Sequence, residues 1–114
     1  MNRVSTHILD TVRGKPAAEV PVRLERMEES GNWLLLGSAR TDQDGRCGQL
    51  LRDDNLLMPG IYRVKFDTGS YFADAKMNSL YPMVEVTFQV GDGETTFHIP
   101  LLLSPNGYTT YRGT

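Results

Sequence analysis

The sequence predicts an all-β protein, an antiparallel β-sandwich of seven or eight short strands with one short helix. Apolar and polar residues alternate with period two in several short stretches, clusters of Gly, Asp, Asn and Pro separate those stretches, and a single segment has helical spacing. At 114 residues the chain can bury one core but not two, so residues 1–114 are read as a single domain.

Val4 to Leu9 begins the pattern, with Val4, Thr6 and Ile8 on one strand face and Ser5, His7 and Leu9 on the other. Asp10 to Ala17 contains Gly14 and Pro16 and reads as a connection. Val20 to Met27 is a second strand, with Val20, Val22 and Leu24 inward and Arg23 and Glu25 outward; Ser30-Gly31-Asn32 turns it back into Trp33 to Ala39. Thr41-Asp42-Gln43-Asp44-Gly45-Arg46 is dense in turn formers and presents Arg46 from a tight loop, with a short strand expected near Gln49 to Leu51. Ile61 to Asp67 carries Tyr62, Val64 and Phe66 on one face. Ser70 to Asn78 is the helix, with Ser70 as its N-cap and Tyr71, Ala75 and Asn78 on one side. Val84 to Val90 alternates without error, and Gly91-Asp92-Gly93 predicts a hairpin back into Thr95 to Leu103. That last strand is apolar on both faces: Phe97, Ile99, Leu101 and Leu103 on one, Pro100 and Leu102 beside His98 on the other. A second subunit packed on the outer face would explain this.

Charge and composition exclude several function classes. Twelve Lys and Arg against fourteen Asp and Glu, a net charge of −2, lack the positive footprint of a nucleic-acid binder. No apolar run approaches the ~20 residues of a membrane helix. The start Met-Asn-Arg-Val-Ser-Thr-His has no apolar h-region, and one cysteine, Cys47, permits no internal disulfide; both features point to the cytoplasm. Three or four ligands are needed for zinc, and Cys47, His7 and His98 do not suggest a site without recruited carboxylates or a second subunit. The glycines match no nucleotide-cradling spacing. No metal or cofactor is expected.

His7 and His98 are the two side chains whose ordinary pKa lies near neutrality, so proton transfer would run through them, although a lone strand histidine is more often a packed or interface residue than a catalyst. Cys47 follows Arg46 and could be an activated thiolate, but with no cysteine-hydrolase pattern around it a small, semi-buried filler is the simpler reading. The C-terminus is rich in Tyr, Thr and Arg instead of a fraying polar tail, which suggests a final strand whose end lends polar groups to a site.

Taken together, Thr6-His7-Ile8-Leu9-Asp10-Thr11 with Gly14-Lys15-Pro16-Ala17, the central Thr41-Asp42-Gln43-Asp44-Gly45-Arg46, and the closing His98-Ile99-Pro100-Leu101-Leu102-Leu103 through Tyr111-Arg112-Gly113-Thr114 resemble the 5-hydroxyisourate hydrolase family, the transthyretin-like enzymes of urate breakdown. The resemblance covers nearly the whole chain. It implies a transthyretin-like sandwich, a homotetramer with active sites where two dimers meet, and hydrolysis of 5-hydroxyisourate to 2-oxo-4-hydroxy-4-carboxy-5-ureidoimidazoline. By motif, His7, Arg46 and His98 would be catalytic, and His7, Arg46, Tyr111, Arg112, Gly113 and Thr114 would bind substrate. The family tail usually ends in serine where this chain has Thr114, which keeps the hydroxyl and adds a methyl. Many relatives also carry a histidine at the position of Thr96. Eukaryotic relatives often add a peroxisomal tripeptide after the tail; its absence after Thr114 again favours the cytoplasm.

The chemistry suits these residue types. Opening the ring by water attack on an amide-type carbonyl requires a base, oxyanion stabilisation and a proton for the leaving nitrogen; imidazole serves the first and third, a guanidinium fork the second. Two other readings stand beside it: a non-catalytic carrier of a small aromatic ligand on the same fold, and a structural or adhesive sandwich module.

Overall fold

The computed structural model describes residues 2–52 and 55–114. Among these, two sheets face each other across the apolar core. The first is built from β1 (Arg3–Asp10), β2 (Lys15–Pro16), β5 (Arg46–Cys47), β8 (Thr96–Ser104) and β9 (Gly107–Thr110). Its order is β2-β1-β8-β9, with β5 also paired to β1. The second has the order β4-β3-β6-β7, with β3 Pro21–Met27, β4 Trp33–Arg40, β6 Gly60–Phe66 and β7 Val84–Val90. A single helix, α1 (Thr68–Asp74), joins β6 to β7. The expected sandwich is therefore present, with seven strands of four residues or more and two strands of two residues.

Period-two alternation places the core. Val4 and Ile8 of β1 and Phe97, Ile99, Leu101 and Leu103 of β8 are buried, as are Val22 and Leu24 of β3 and Tyr62, Val64 and Phe66 of β6. Each fully buried aliphatic or phenyl side chain contributes about 1.5–3 kcal/mol from area removed from water. Phe88 stacks on Tyr62 within its own sheet (5.9 Å) and meets Phe97 of the other sheet at 5.2 Å.

Three local expectations are corrected. First, β7 and β8 do not form a hairpin. β7 pairs with β6, whereas β8 lies between β1, to which it runs parallel, and β9. The turn after Val90 carries the chain across the sandwich, because alternation defines a strand's faces but not its partner. Second, α1 starts earlier than expected and is capped by Asp67, not Ser70: the Asp67 carboxylate accepts from Ser70 N–H (3.1 Å) and Oγ–H (2.7 Å). The helix buries Thr68 and Phe72, one turn apart. Third, the short strand after the Asp-Gly turn is Arg46–Cys47, not Gln49 to Leu51. Glu25 points away from the core as expected, yet is 5% exposed, because Arg63 of β6 donates to it (2.5 Å) and lies over Trp33.

The lower end of β1 is fixed by a buried carboxylate. Asp10 accepts from the backbone N–H groups of Val12 and Arg13 and from the Tyr71 hydroxyl of α1 at 2.6 Å. Burial, then this hydrogen bond, pushes the Tyr71 phenol up to about 12.

Candidate active site

β1 sits between β8 on one edge and β5 with β2 on the other, and this position assembles the site. The parallel β1–β8 register sets Ser5 opposite His98 and His7 opposite Pro100; the antiparallel β1–β5 register sets His7 opposite Arg46. Ser5, His7, His98 and Arg46 consequently share the outer face of the sheet, away from the core.

The loop before Arg46 is rigid for local reasons. Asp42 Oδ1 accepts from the N–H groups of Asp44 (2.9 Å) and Arg46 (3.0 Å), and Gly45 N–H donates to Asp42 O. Gly45 adopts φ 74° and its carbonyl accepts from Ile8 N–H at 2.8 Å. A Cβ there would stand 2.5 Å from the Ile8 carbonyl oxygen. Gly45→Ala is expected to destabilise the fold by about 1–3 kcal/mol from the left-handed backbone alone, with the clash added, and to loosen Arg46; chemical denaturation measures the first and the catalytic assay below the second.

His98 is half-buried. Its Nδ1 hydrogen-bonds Ser5 Oγ at 2.8 Å, and the edge of its ring lies against the backbone of Gly113, where an added Cβ would stand 2.4 Å from Cδ2. Burial first, then the charges of His7, Arg46 and Arg3, hold its pKa below the ordinary 6.5. The ring is thus kept neutral and able to accept a proton near pH 7.

Beside it opens a cavity of about 300 Å³ bordered by Arg3, Arg46, Thr96, His98 and Thr114, with Ser5 and Thr6 beneath. Among the described residues that line it there is no carboxylate side chain. Cys47 also reaches the cavity, but burial, then Asp42, pushes its thiol up to about 11, so it is a packing group and not a thiolate nucleophile at neutral pH. Among the described residues no cluster of three or more His, Cys, Asp or Glu is gathered, and no helix is long and apolar enough to cross a membrane.

The last residues run along β8. β9 pairs as far as Leu101–Thr110, the ladder is interrupted at Pro100, which has no N–H, and in the same register Gly113 N–H reaches His98 O at 2.8 Å. Gly113 and Thr114 are thereby brought to the His98 cavity. Tyr111 and Arg112 instead border a second opening of about 210 Å³ beside Phe97 and Ile99. The Arg112 guanidinium lies over the Phe97 ring (4.5 Å) and is paired with Glu94 at 3.0 Å. Of the residues expected from sequence, the structure therefore gathers Arg46, His98 and Thr114 at one cavity, with Gly113 against the His98 ring and His7 adjacent by register, and turns Tyr111 and Arg112 to the second opening.

The profile of the HIUase/Transthyretin family matches residues 4–113. The chain belongs to this family. A 5-hydroxyisourate hydrolase from Salmonella dublin is 45% identical over 112 residues, covering 98% of this chain and 81% of that protein. The structure of the Klebsiella pneumoniae 5-hydroxyisourate hydrolase superposes with a TM-score of 0.85 at 36% identity over the full length of both chains. Sea bream transthyretin in complex with thyroxine gives a TM-score of 0.90 at 30% identity, over 98% of this chain and 95% of that one. The HIUase/Transthyretin family thus includes proteins named as hydrolases and a protein that binds thyroxine, so the activity of this member has to be argued from its cavity.

Arg3, Ser5, Thr6, Gly48 and Thr96 border the cavity of this HIUase/Transthyretin chain but do not stand out as site groups in the sequence. Ser5 was placed on the face of His7 by alternation, and Arg3 continues that face one step beyond the expected strand start. What sequence lacked was the β1–β8 pairing that sets them beside His98 and Thr96.

Proposed function

We propose that this chain hydrolyses 5-hydroxyisourate to 2-oxo-4-hydroxy-4-carboxy-5-ureidoimidazoline, a step of urate degradation. The observation that carries the reading is the meeting of His98, Arg46 and Thr114 at one cavity, with His7 opposite Arg46, in a chain 45% identical to a 5-hydroxyisourate hydrolase. The functional unit is one domain over residues 1–114, acting as a cytoplasmic homotetramer. Its small-molecule substrate lies in the cleft between dimers, and it needs neither cofactor nor metal.

In this mechanism a neutral imidazole of the His7–His98 pair takes a proton from water as its oxygen attacks a ring amide carbonyl. The negative charge that forms on the carbonyl oxygen is met by the Arg46 guanidinium, whose fork of donors also holds the planar, oxygen-rich ring. Collapse of the intermediate breaks the carbon–nitrogen bond, the imidazolium returns its proton to the leaving nitrogen, and the carbonyl carbon ends as a carboxyl group. The charge of His7 is one of the causes that hold His98 below its ordinary value. Thr114 edges the pocket and the Gly113 backbone lies against the His98 ring, whereas Tyr111 and Arg112 border the second opening; the role of Arg112 is taken up below.

The lowered His98 pKa gives a pH dependence with a definite sign. Turnover falls on the acid side as His98 takes up a proton, with the limb below 6.5. Stability follows the same direction: between the lowered folded pKa and the ordinary 6.5 the unfolded chain binds more protons, so stability rises with pH through that window and is lost as pH falls through it. A kcat/KM profile and denaturation midpoints measured across that range check both; an acid limb centred above 6.5 contradicts the assignment.

The thyroxine complex of the sea bream protein favours one alternative, a non-catalytic carrier of a small aromatic ligand. Freshly generated 5-hydroxyisourate loses its ultraviolet absorbance spontaneously, and micromolar protein is expected to accelerate that loss. A decay unchanged by protein rejects the hydrolase reading in favour of the carrier.

A further inference from the structure

The end of the chain poses a physical problem. Past Thr110 the ladder to β8 is broken at Pro100, and the strip from Tyr111 to Thr114 keeps a backbone hydrogen bond from Gly113 to His98 O. Short terminal strips held this weakly ordinarily fray. Yet the Gly113 backbone, against the His98 ring, and Thr114, on the rim of the cavity, lie on this strip.

We propose that Glu94, in the turn that carries the chain from β7 to β8, is a positioning residue that latches the C-terminal strip through Arg112 and so holds Gly113 against His98 and Thr114 at the cavity. The Glu94 carboxylate is itself fixed before it meets Arg112: Oε1 accepts from Gly91 N–H at 2.9 Å, leaving Oε2 for the Arg112 guanidinium at 3.0 Å. These two interactions, the backbone one first, hold the Glu94 carboxyl below its usual range. The guanidinium is fixed a second time by lying over Phe97, 4.5 Å from the ring centroid. An exposed ion pair with free partners contributes little; here both partners are oriented by other contacts, so less conformational freedom is lost in joining them. Strand alternation does the rest. Arg112 points to the Phe97 side, which turns its neighbour Gly113 to the His98 side, and the absence of a Cβ at Gly113 lets the strip lie flat on the imidazole.

The catalytic consequence rests on the hydrolase reading, but the latch itself does not, and the test separates them. The chain has two histidines, so both ring titrations are resolvable by NMR. His98 is faced by Arg3, Ser5 and His7 of β1, Arg46 of β5, and the Gly113 backbone and Thr114 of the C-terminal strip, and removal of the latch changes only the strip. In Glu94→Ala, release of the strip hydrates the His98 ring, so its pKa moves up towards the ordinary value and the Gly113 amide exchanges faster; Glu94→Gln, which keeps an acceptor for Gly91 but loses the charge, shows an intermediate shift. KM for 5-hydroxyisourate rises about fivefold, the upper end for an exposed pair, with kcat changed far less. If Glu94→Ala folds poorly, Glu94→Gln carries the test. An unchanged His98 titration and unchanged Gly113 exchange overturn the latch. A shifted titration in a protein whose wild type does not hydrolyse 5-hydroxyisourate keeps the latch and removes the hydrolase reading.

Discussion

His98→Asn is expected to lower turnover of 5-hydroxyisourate by about 10²–10⁴-fold, the contribution of a positioned acid–base group. Asparagine keeps a polar side chain of similar reach, and it can still hydrogen-bond Ser5 Oγ, which His98 Nδ1 meets at 2.8 Å. It cannot take up the proton of an attacking water. The loss should fall on kcat more than on KM, with unchanged oligomer size and denaturation midpoint as the controls. If the variant retains a near-normal rate, His98 does not take part in proton transfer, and His7 alone would have to supply the base.

Arg46→Ala is expected to cost about 10²–10³-fold in kcat/KM, as removal of one oxyanion donor does elsewhere. Arg46→Lys should recover only part of it, because an ammonium keeps the charge but not the planar fork. A second readout ties the loss to this cavity. The Arg46 charge is one of the causes that hold His98 below its ordinary pKa, so in Arg46→Ala the acid limb of whatever activity remains should move to higher pH. A full loss of rate with an unmoved limb would mean that Arg46 acts on substrate from outside the electrostatic reach of His98.

Much of the fold was legible because alternation is a local property. The run Val84 to Val90, the face of Tyr62, Val64 and Phe66, and the buried face of Phe97, Ile99, Leu101 and Leu103 follow from period two alone. Partner choice is not local: nothing in Gly91-Asp92-Gly93 distinguishes a hairpin from a crossing between sheets, and β8 finds its neighbour β1 at the opposite end of the chain. The helix starts before Ser70 because Asp67, the last residue of the expected strand, caps it, its carboxylate accepting from the hydroxyl and amide of Ser70.

The site shows the same division. His7, Arg46 and His98 stand out by residue type and by resemblance, and the turn that aims Arg46 is visible in Thr41-Asp42-Gln43-Asp44-Gly45-Arg46. Ser5 and Arg3 gain meaning only through the pairing of β1 with β8. The direction of Arg112 depends on the register of the strip beyond Pro100, which no spacing in the sequence reveals. The apolar outer face of β8 was read as an interface because Pro100 and Leu102 lie on it; Pro100 is buried within the chain, and the strip carrying Gly113 supplies part of its cover, with Gly113's missing Cβ leaving room beside the proline ring.

The most direct measurement is the structure of the assembled protein with a stable, planar oxopurine bound in place of 5-hydroxyisourate. The account predicts one ring system per cavity, within hydrogen-bond distance of Arg46 and His98, edged by Thr114 and completed by a second copy of the chain. A ligand seated instead in the opening beside Phe97 and Arg112, or a cavity in which Arg46, His7 and His98 do not converge on it, would contradict the mechanism.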